Sequence, residues 1–160
     1  MVEDIEARSE TGAVPGSGGS HFTSRRGLEA AYVSARYEVR FEDGRTVVFR
    51  IGEPVVELAG ETFALITAFN PGSSRRAAEW NAEANARLET RLRDLGFAYV
   101  PGRGMSSDGT HIEPSFAVFD ITRDAALALA RDFGQAAIVW FDGASAGLAW
   151  TEEAEARRGT

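Results

Sequence analysis

Hydrophobic positions along the chain fall into short runs and two longer stretches with the 3.6-residue period of a helix. The short runs have the length and the β-branched and aromatic content of strands. They cover residues 37–42, 45–51, 63–69, 97–100, 114–121, 136–141 and 147–151. The longer stretches predict helices over residues 74–95 and 122–133, and the pattern of residues 53–59 is ambiguous.

Capping and turn residues support these boundaries. Thr122 is a favourable N-cap for the second helix. Gly96 and Gly134 each follow a predicted helix, at the position where a left-handed residue commonly ends one. Residues 101–112, PGRGMSSDGTHI, are rich in glycine and predict a loop.

From residue 63 onward, the predicted order is strand, helix, strand, strand, helix, strand. This is the split βαβ order of ferredoxin-like folds. The hairpin 37–51 and the short strand 147–151 would extend the sheet. We therefore expect an α+β sandwich with both helices on one face of the sheet.

The two ends of the chain differ from its middle. Residues 1–26 are dominated by Gly, Ser, Thr and charged residues without a hydrophobic period, which predicts a disordered tail. Residues 27–152 predict a single domain, and residues 153–160 a charged tail. The start has no apolar core of a signal peptide, and no apolar run is long enough to cross a bilayer. The expected location is the cytoplasm, without membrane association.

Composition narrows the chemistry. The 160 residues carry a formal net charge of −7, which argues against nucleic acid as a partner. No cysteine is present, so disulfides, thiol catalysis and Cys-ligated zinc are excluded. Asp108, His111 and Glu113 lie close in sequence, but their spacing matches no known metal site. We expect neither a metal nor another cofactor. All basic residues are Arg, so a single arginine is a weaker signal here than usual.

The expected topology brings polar residues from separate segments to one rim of the sheet. Asn70 follows the strand 63–69, while Glu113 and Gln135 precede the strands 114–121 and 136–141. Antiparallel neighbours place these strand ends side by side. The loop 101–112 reaches the same rim, where it could close as a flap.

Asn81 lies within the apolar stripe of the first helix, about 20° around the axis from Leu88. A buried amide needs hydrogen-bond partners, because leaving it unpaired costs roughly 1–3 kcal/mol. Asn81 could tie the helix to a loop carbonyl. It could also orient Asn70 or Glu113, or contact a ligand.

Residues 73–76 suggest an anion site. Arg75 and Arg76 fall in the predicted first turn of the helix, where the helix dipole disfavours cations unless an anion binds there. Ser73 and the free amides of that turn would add donors. The alternative is an ordinary Asn-Pro-Gly-Ser turn followed by an N-cap.

Glu113 has two interpretations of equal weight. It could act as a general acid or base, or it could form a structural ion pair with an arginine. Ser115 should share its sheet face, since side chains alternate along a strand. No histidine is placed to activate Ser115, because His111 belongs to the predicted loop.

Four segments together resemble a known family. ITAFNPGS, WN with Asn85 after it, EPSF and FGQAAIVW occur in this order over about residues 28–142. In this combination they resemble the bacterial family catalogued as domain of unknown function 3293, which has no established activity. The family pattern more often has Trp where this chain has Phe69. The resemblance implies the following hallmark residues: Asn70, Pro71, Asn81, Glu113, Ser115, Phe133, Gly134 and Gln135.

Three functions remain open at this point. The first is binding of a small anionic ligand, for example a nucleotide-like one, at the polar rim. Its ligand-binding residues would be Asn70, Ser73, Arg75, Arg76, Asn81, Ser115 and Gln135. The second is an enzyme that uses Glu113 for acid–base catalysis at the same rim. The third is a protein-interaction module that binds a partner on its open sheet face.

Overall fold

The computed structural model describes residues 24–152, except for the side chain of Ser73. It contains three helices and seven strands within these residues. The helices are α1 (Arg25–Ser34), α2 (Ala78–Asp94) and α3 (Arg123–Asp132). The strands are β1 (Arg36–Arg40), β2 (Thr46–Phe49), β3 (Phe63–Ile66), β4 (Tyr99–Met105), β5 (Ile112–Phe119), β6 (Ala137–Phe141) and β7 (Ala146–Trp150). Short 3₁₀ turns occupy Val56–Leu58 and Pro71–Ser73.

All strands join one antiparallel sheet in the order β2-β1-β4-β5-β3-β6-β7. The α+β class is confirmed, and β3 is flanked by β5 and β6 as the sequence predicts. The C-terminal end of β3 therefore lies beside the N-terminal ends of β5 and β6. No helix among the described residues is both long and apolar enough to cross a membrane.

The sheet is strongly curled. The ring of Phe49 on β2 lies 6.1 Å from the rings of both Phe63 on β3 and Phe141 on β6. In a flat sheet of this order, β2 and β6 would be about 24 Å apart. Bridges from Ile51 to Ala146 and from Pro54 to Ser145 further connect the two edges. The result is a half-barrel whose concave face is filled with aromatic side chains.

Helices α2 and α3 cover the opposite, convex face. Leu88 and Leu92 of α2 and Leu127 of α3 are fully buried there against Ile66 and Val118 of the sheet. The prediction that both helices share one face is thus confirmed. The face opposite them is not open, because it forms the interior of the curl.

Three predictions of local structure were wrong. Helix α2 begins at Ala78 rather than at residue 74, so Arg75 and Arg76 precede the helix and are not in its first turn. The predicted tail 1–26 lies outside the described residues up to residue 23, but Arg25 and Arg26 begin α1, which the sequence did not predict. One face of α1, formed by Gly27, Leu28, Ala31 and Tyr32, is half-buried, but no residue of the helix is fully buried. The C-terminal tail 153–160 lies outside the described residues.

The third difference concerns the predicted loop 101–112. Most of it is the hairpin of β4 and β5, which contradicts the expected flap. Pairing with strands on both sides overrides the low strand propensity of Pro and Gly. Close contacts explain the glycines: a Cβ on Gly102 would lie 2.8 Å from Leu65 Cδ2, and one on Gly104 would lie 3.4 Å from the Tyr37 ring.

Gly134 holds the end of α3 against the turn that follows β3. Its φ is +73°, and a Cβ there would lie 2.7 Å from Pro71 Cβ. Its carbonyl also accepts a hydrogen bond from the Gly72 amide at 2.8 Å. Gly109, in the β4–β5 turn, has the same φ of +73° but no atom within 4 Å of an added Cβ.

We expect Gly134→Ala to destabilise the protein more than Gly109→Ala. Both variants carry the backbone cost of a left-handed alanine, about 1–2 kcal/mol. Only Gly134→Ala adds a clash with Pro71, worth roughly another 1–3 kcal/mol. Urea unfolding of the two variants measures the difference. Equal losses would show that the turn moves freely away from α3.

Candidate functional site

A cleft of about 900 Å³ opens at one end of the concave face, where α1 crosses it. Its walls come from α1, from Tyr37 on β1, from the turn after β3, from the β4–β5 turn and from the start of β6. Among the predicted site residues, Asn70, Arg75, Glu113 and Gln135 line this cleft. The rim inferred from the topology therefore lies at the mouth of this cleft.

Asn70 is the centre of a hydrogen-bond network. It adopts the left-handed conformation (φ 46°, ψ 59°), which Asn tolerates better than most residues. Its Oδ1 accepts from the Arg76 amide and from Asn81 Nδ2, both at 2.9 Å. With Oδ1 thus occupied, its Nδ2 donates to Glu113 Oε1 at 2.9 Å. The amide orientation is fixed because reversing it would oppose three hydrogen bonds.

Asn81 holds Asn70 in place from inside the core. Its side chain is 5% exposed, and its Oδ1 accepts from the Asn70 backbone amide at 2.9 Å. Its Nδ2 bonds to Asn70 Oδ1 and, at 3.4 Å, to the Arg76 carbonyl. Asn81 does not line the cleft. It therefore ties the helix to a loop and orients Asn70, which combines two of the three roles considered for it.

Asn85, one turn further along α2, supports the same rim. Its Oδ1 accepts from the Ala68 amide at 2.8 Å, and its Nδ2 donates to the Pro114 carbonyl at 2.9 Å. It is 7% exposed. Two buried amides on one helix thus fix the end of β3 and the start of β5, the segments that carry Asn70 and Glu113.

Gln135 is the third fixed amide at the cleft. It is 8% exposed, and its Nε2 donates to the Phe69 carbonyl at 2.9 Å. Its backbone carbonyl accepts from the Thr151 hydroxyl at 2.9 Å. With one N–H of Nε2 bonded to Phe69, the side chain keeps its Oε1 acceptor and the second N–H of Nε2.

Glu113 lies half-buried on the concave face, in a cross-strand row with Gly104 and Tyr37. Burial raises the pKa of Glu113 above its ordinary value, although the Asn70 hydrogen bond and the charge of His111 act in the opposite direction. No ion pair with Glu113 forms within residues 24–152. The structural ion pair considered for Glu113 is therefore not seen in the described part of the chain.

Two tyrosines that the sequence reasoning missed face this carboxylate. Burial and the Glu113 charge raise the pKa of Tyr32 to about 12, and burial likewise raises the pKa of Tyr37. The Tyr37 hydroxyl donates to the Tyr32 carbonyl at 2.7 Å, which joins β1 to α1. Both residues come before the rim segments in the sequence. The curl of the sheet brings them to the cleft, and no local sequence pattern predicts that curl.

Arg75 and His111 lie side by side at the cleft. Arg75 Nη2 lies 3.1 Å from His111 Nδ1 and also contacts Nε2. No carboxylate of the described residues forms an ion pair with Arg75.

The remaining predicted ligand residues lie elsewhere. The Arg76 guanidinium lies 5.2 Å from the centre of the Trp80 ring, outside the cleft. Ser115 is buried one strand repeat deeper than Glu113, and its Oγ has no hydrogen-bond partner. Ser73 precedes α2 in the 3₁₀ turn, and its side chain lies outside the description. Helix α2 has Ala77 as its N-cap, without a side-chain hydrogen bond.

The β4–β5 turn at the cleft is held by Asp108. Its Oδ1 accepts from the Ser106 hydroxyl, the Thr110 hydroxyl and the Thr110 amide at 2.7, 2.8 and 3.0 Å. These hydrogen bonds lower the pKa of Asp108 to about 2. The carboxylate is thus occupied by its own turn. No group of three or more potential metal ligands occurs among residues 24–152.

The fold and the cleft define a small α+β domain built on a curled antiparallel sheet. Residues 66–138 match the family model described as "Protein of unknown function (DUF3293)". The resemblance to this family that the sequence shows is confirmed over these residues. No curated protein and no solved structure matches the chain.

We expect Asn70→Gly to raise the pKa of Glu113 further, because it removes the hydrogen bond that stabilises the carboxylate. Glycine keeps the left-handed conformation, so backbone strain is avoided. Carboxyl carbon NMR titration of Glu113 measures the shift. The control is Asn85→Ala, which removes a buried amide of α2 that bonds to the Pro114 carbonyl and not to Glu113. An unchanged Glu113 titration in Asn70→Gly would contradict the proposed network.

We expect Glu113→Gln to stabilise the protein at neutral pH. A raised native pKa means that the folded state binds more protons than the unfolded state between the two pKa values, so stability falls as pH rises there. Glutamine can still accept the Asn70 hydrogen bond and carries no charge to desolvate. Its advantage in urea unfolding should grow as pH rises from the ordinary glutamate pKa of about 4.3 to the raised pKa of the folded state. A constant difference over this range would contradict the burial effect.

Proposed function

We propose that the domain binds a small anionic ligand in the cleft between α1 and the concave face of the sheet. The observation that carries this proposal is the position of Arg75, a guanidinium at the cleft without a carboxylate partner among the described residues. His111 beside it occupies only part of its five N–H donors. The remaining donors suit the two oxygens of a carboxylate or phosphate.

The rest of the cleft supports a pre-formed binding site. Buried amides on α2 and before β6 fix its polar rim, and small-molecule sites are commonly concave, partly apolar and pre-organised in this way. The cleft volume of about 900 Å³ suits a molecule up to the size of a nucleotide. The sequence predicted an anion at the first turn of the helix. We propose instead that the anion binds beside Arg75 and His111.

We also propose a more specific fold and a cellular location for the domain. The neighbouring strands β4-β5-β3-β6, with α2 and α3 on one face, support a ferredoxin-like core within the half-barrel. The cysteine-free and lysine-free composition is compatible with a bacterial cytoplasmic protein.

Glu113 favours acid–base catalysis as a second candidate function. Its raised pKa and its orientation by Asn70 are properties of many catalytic carboxyls. Ser115 offers no second catalytic group, since its hydroxyl is buried below the cleft. Catalysis would be recognised by turnover of a bound ligand that stops in Glu113→Gln while binding persists. The third hypothesis, a partner on the sheet face, has less support because that face is packed as core.

We expect Arg75→Gln to weaken binding of inorganic phosphate about 10- to 100-fold, since a hydrogen bond to a charged group contributes about 1.5–3 kcal/mol. Arg76→Gln is the matched control: it makes the same charge change one residue away, but its side chain packs on Trp80 outside the cleft. NMR titration of the wild type and both variants measures the affinities. Equal weakening in the two variants, or no phosphate binding by the wild type, would overturn the proposed site.

A further inference from the structure

Two acceptor atoms in the cleft have no hydrogen-bond partner among the described residues. Asn70 donates to Oε1 of Glu113, so Oε2 of Glu113 remains without a partner. The Phe69 carbonyl accepts from Nε2 of Gln135, so Oε1 of Gln135 remains without a partner. Both side chains line the same cleft. Because their other atoms are held by the protein, these two oxygens have fixed positions. A ligand that fits them must present hydrogen-bond donors.

Glu113 forms no ion pair within residues 24–152. It is faced by Tyr32 of α1, Tyr37 of β1 and Asn70 of the turn after β3. His111, which immediately precedes its strand, also acts on its charge, and the His111 ring contacts Arg75. A half-buried carboxylate with one amide donor remains poorly compensated for the water it has lost. A positive ligand group would provide that compensation.

Aromatic side chains give the cleft a second affinity for cations. Tyr32, Tyr37 and Phe69 line it together with Glu113. The faces of aromatic rings attract ammonium groups, and the attraction is stronger where water is excluded. Carboxylate, amide oxygen and rings therefore all favour the same chemistry in a ligand, whereas Arg75 favours an anion.

We propose that the ligand of this cleft is a zwitterion: a small molecule whose protonated amine binds Glu113 and Gln135 and whose phosphate or carboxylate binds Arg75. This inference rests on the proposed binding function and names the ligand class. His111, whose ring contacts Arg75, precedes Glu113 by two residues, and Cα atoms two residues apart in an extended chain are about 7 Å apart. The ligand therefore needs only a short linker between amine and anion.

The test compares phosphate monoesters that differ only in the amine. Phosphoethanolamine is paired with ethyl phosphate, and aminopropyl phosphate with propyl phosphate, in calorimetric titrations of the full chain. We expect the amine-bearing member of at least one pair to bind 10-fold or more tighter. In Glu113→Gln that preference should fall to less than about threefold, while the amine-free esters keep their affinity. Arg75→Gln should weaken all of them.

A control and a pH series separate a specific contact from general charge attraction. Glu89→Gln makes the same charge change at a carboxylate that bonds to the Tyr99 hydroxyl and does not line the cleft. It should retain the amine preference. The preference for the amine-bearing ester should also increase as pH rises through the Glu113 titration, because only the ionised carboxylate attracts the amine. The other titratable groups in the same region are His111, Tyr32 and Tyr37.

The outcomes distinguish this inference from the function on which it rests. If amine-free esters bind through Arg75 and the amine adds nothing, the zwitterion is excluded but the anion site stands. If Glu89→Gln loses the preference as fully as Glu113→Gln, the amine responds only to net charge and the assignment fails. If none of the four esters binds at millimolar concentration, both proposals fail.

Discussion

The chain of hydrogen bonds from Asn81 through Asn70 to Glu113 determines the geometry of the cleft. Asn81 is anchored in the core under α2, and it fixes both the backbone and the side chain of Asn70. Asn70 in turn is the residue that holds one oxygen of Glu113. A buried amide left without these partners would cost roughly 1–3 kcal/mol, so the network resists rearrangement. The second carboxylate oxygen of Glu113 has no hydrogen-bond partner among the described residues, and Glu113 lines the cleft.

The curl of the sheet supplies the rest of the site. It folds β2 over β6, so that the aromatic interior closes on one side while the other end stays open beneath α1. A flat sheet with the same strand order would expose Tyr37 and Glu113 to water. Desolvation of the carboxylate, which raises its pKa, is thus a consequence of the fold as a whole. Because the enclosed cleft has a lower effective dielectric constant than water, a charge on a ligand would interact more strongly with the charged groups there.

Sequence reasoning reached the residues whose signals are local and missed those whose positions depend on distant pairing. Asn81 stands out because a polar residue interrupts an apolar stripe, and Asn70 and Gln135 follow from the order of strands. Helix α1 gives a weaker signal, since the face that it turns inward is only half-buried. The glycines of β4 predict a loop locally, although contacts with Leu65 and Tyr37 require them in the strand. In α1 and in β4, tertiary packing determines the structure, and the local sequence does not show that packing.

The family match divides the cleft into two parts. Residues 66–138 contain Arg75, Glu113 and Gln135, together with the asparagines of α2 that support them. Tyr32 and Tyr37 of the aromatic wall lie outside this segment. The charged and amide side chains of the rim therefore lie within the matched segment, while much of the wall of the cleft comes from α1 and β1. These two stretches of the chain meet at the cleft only because the sheet curls.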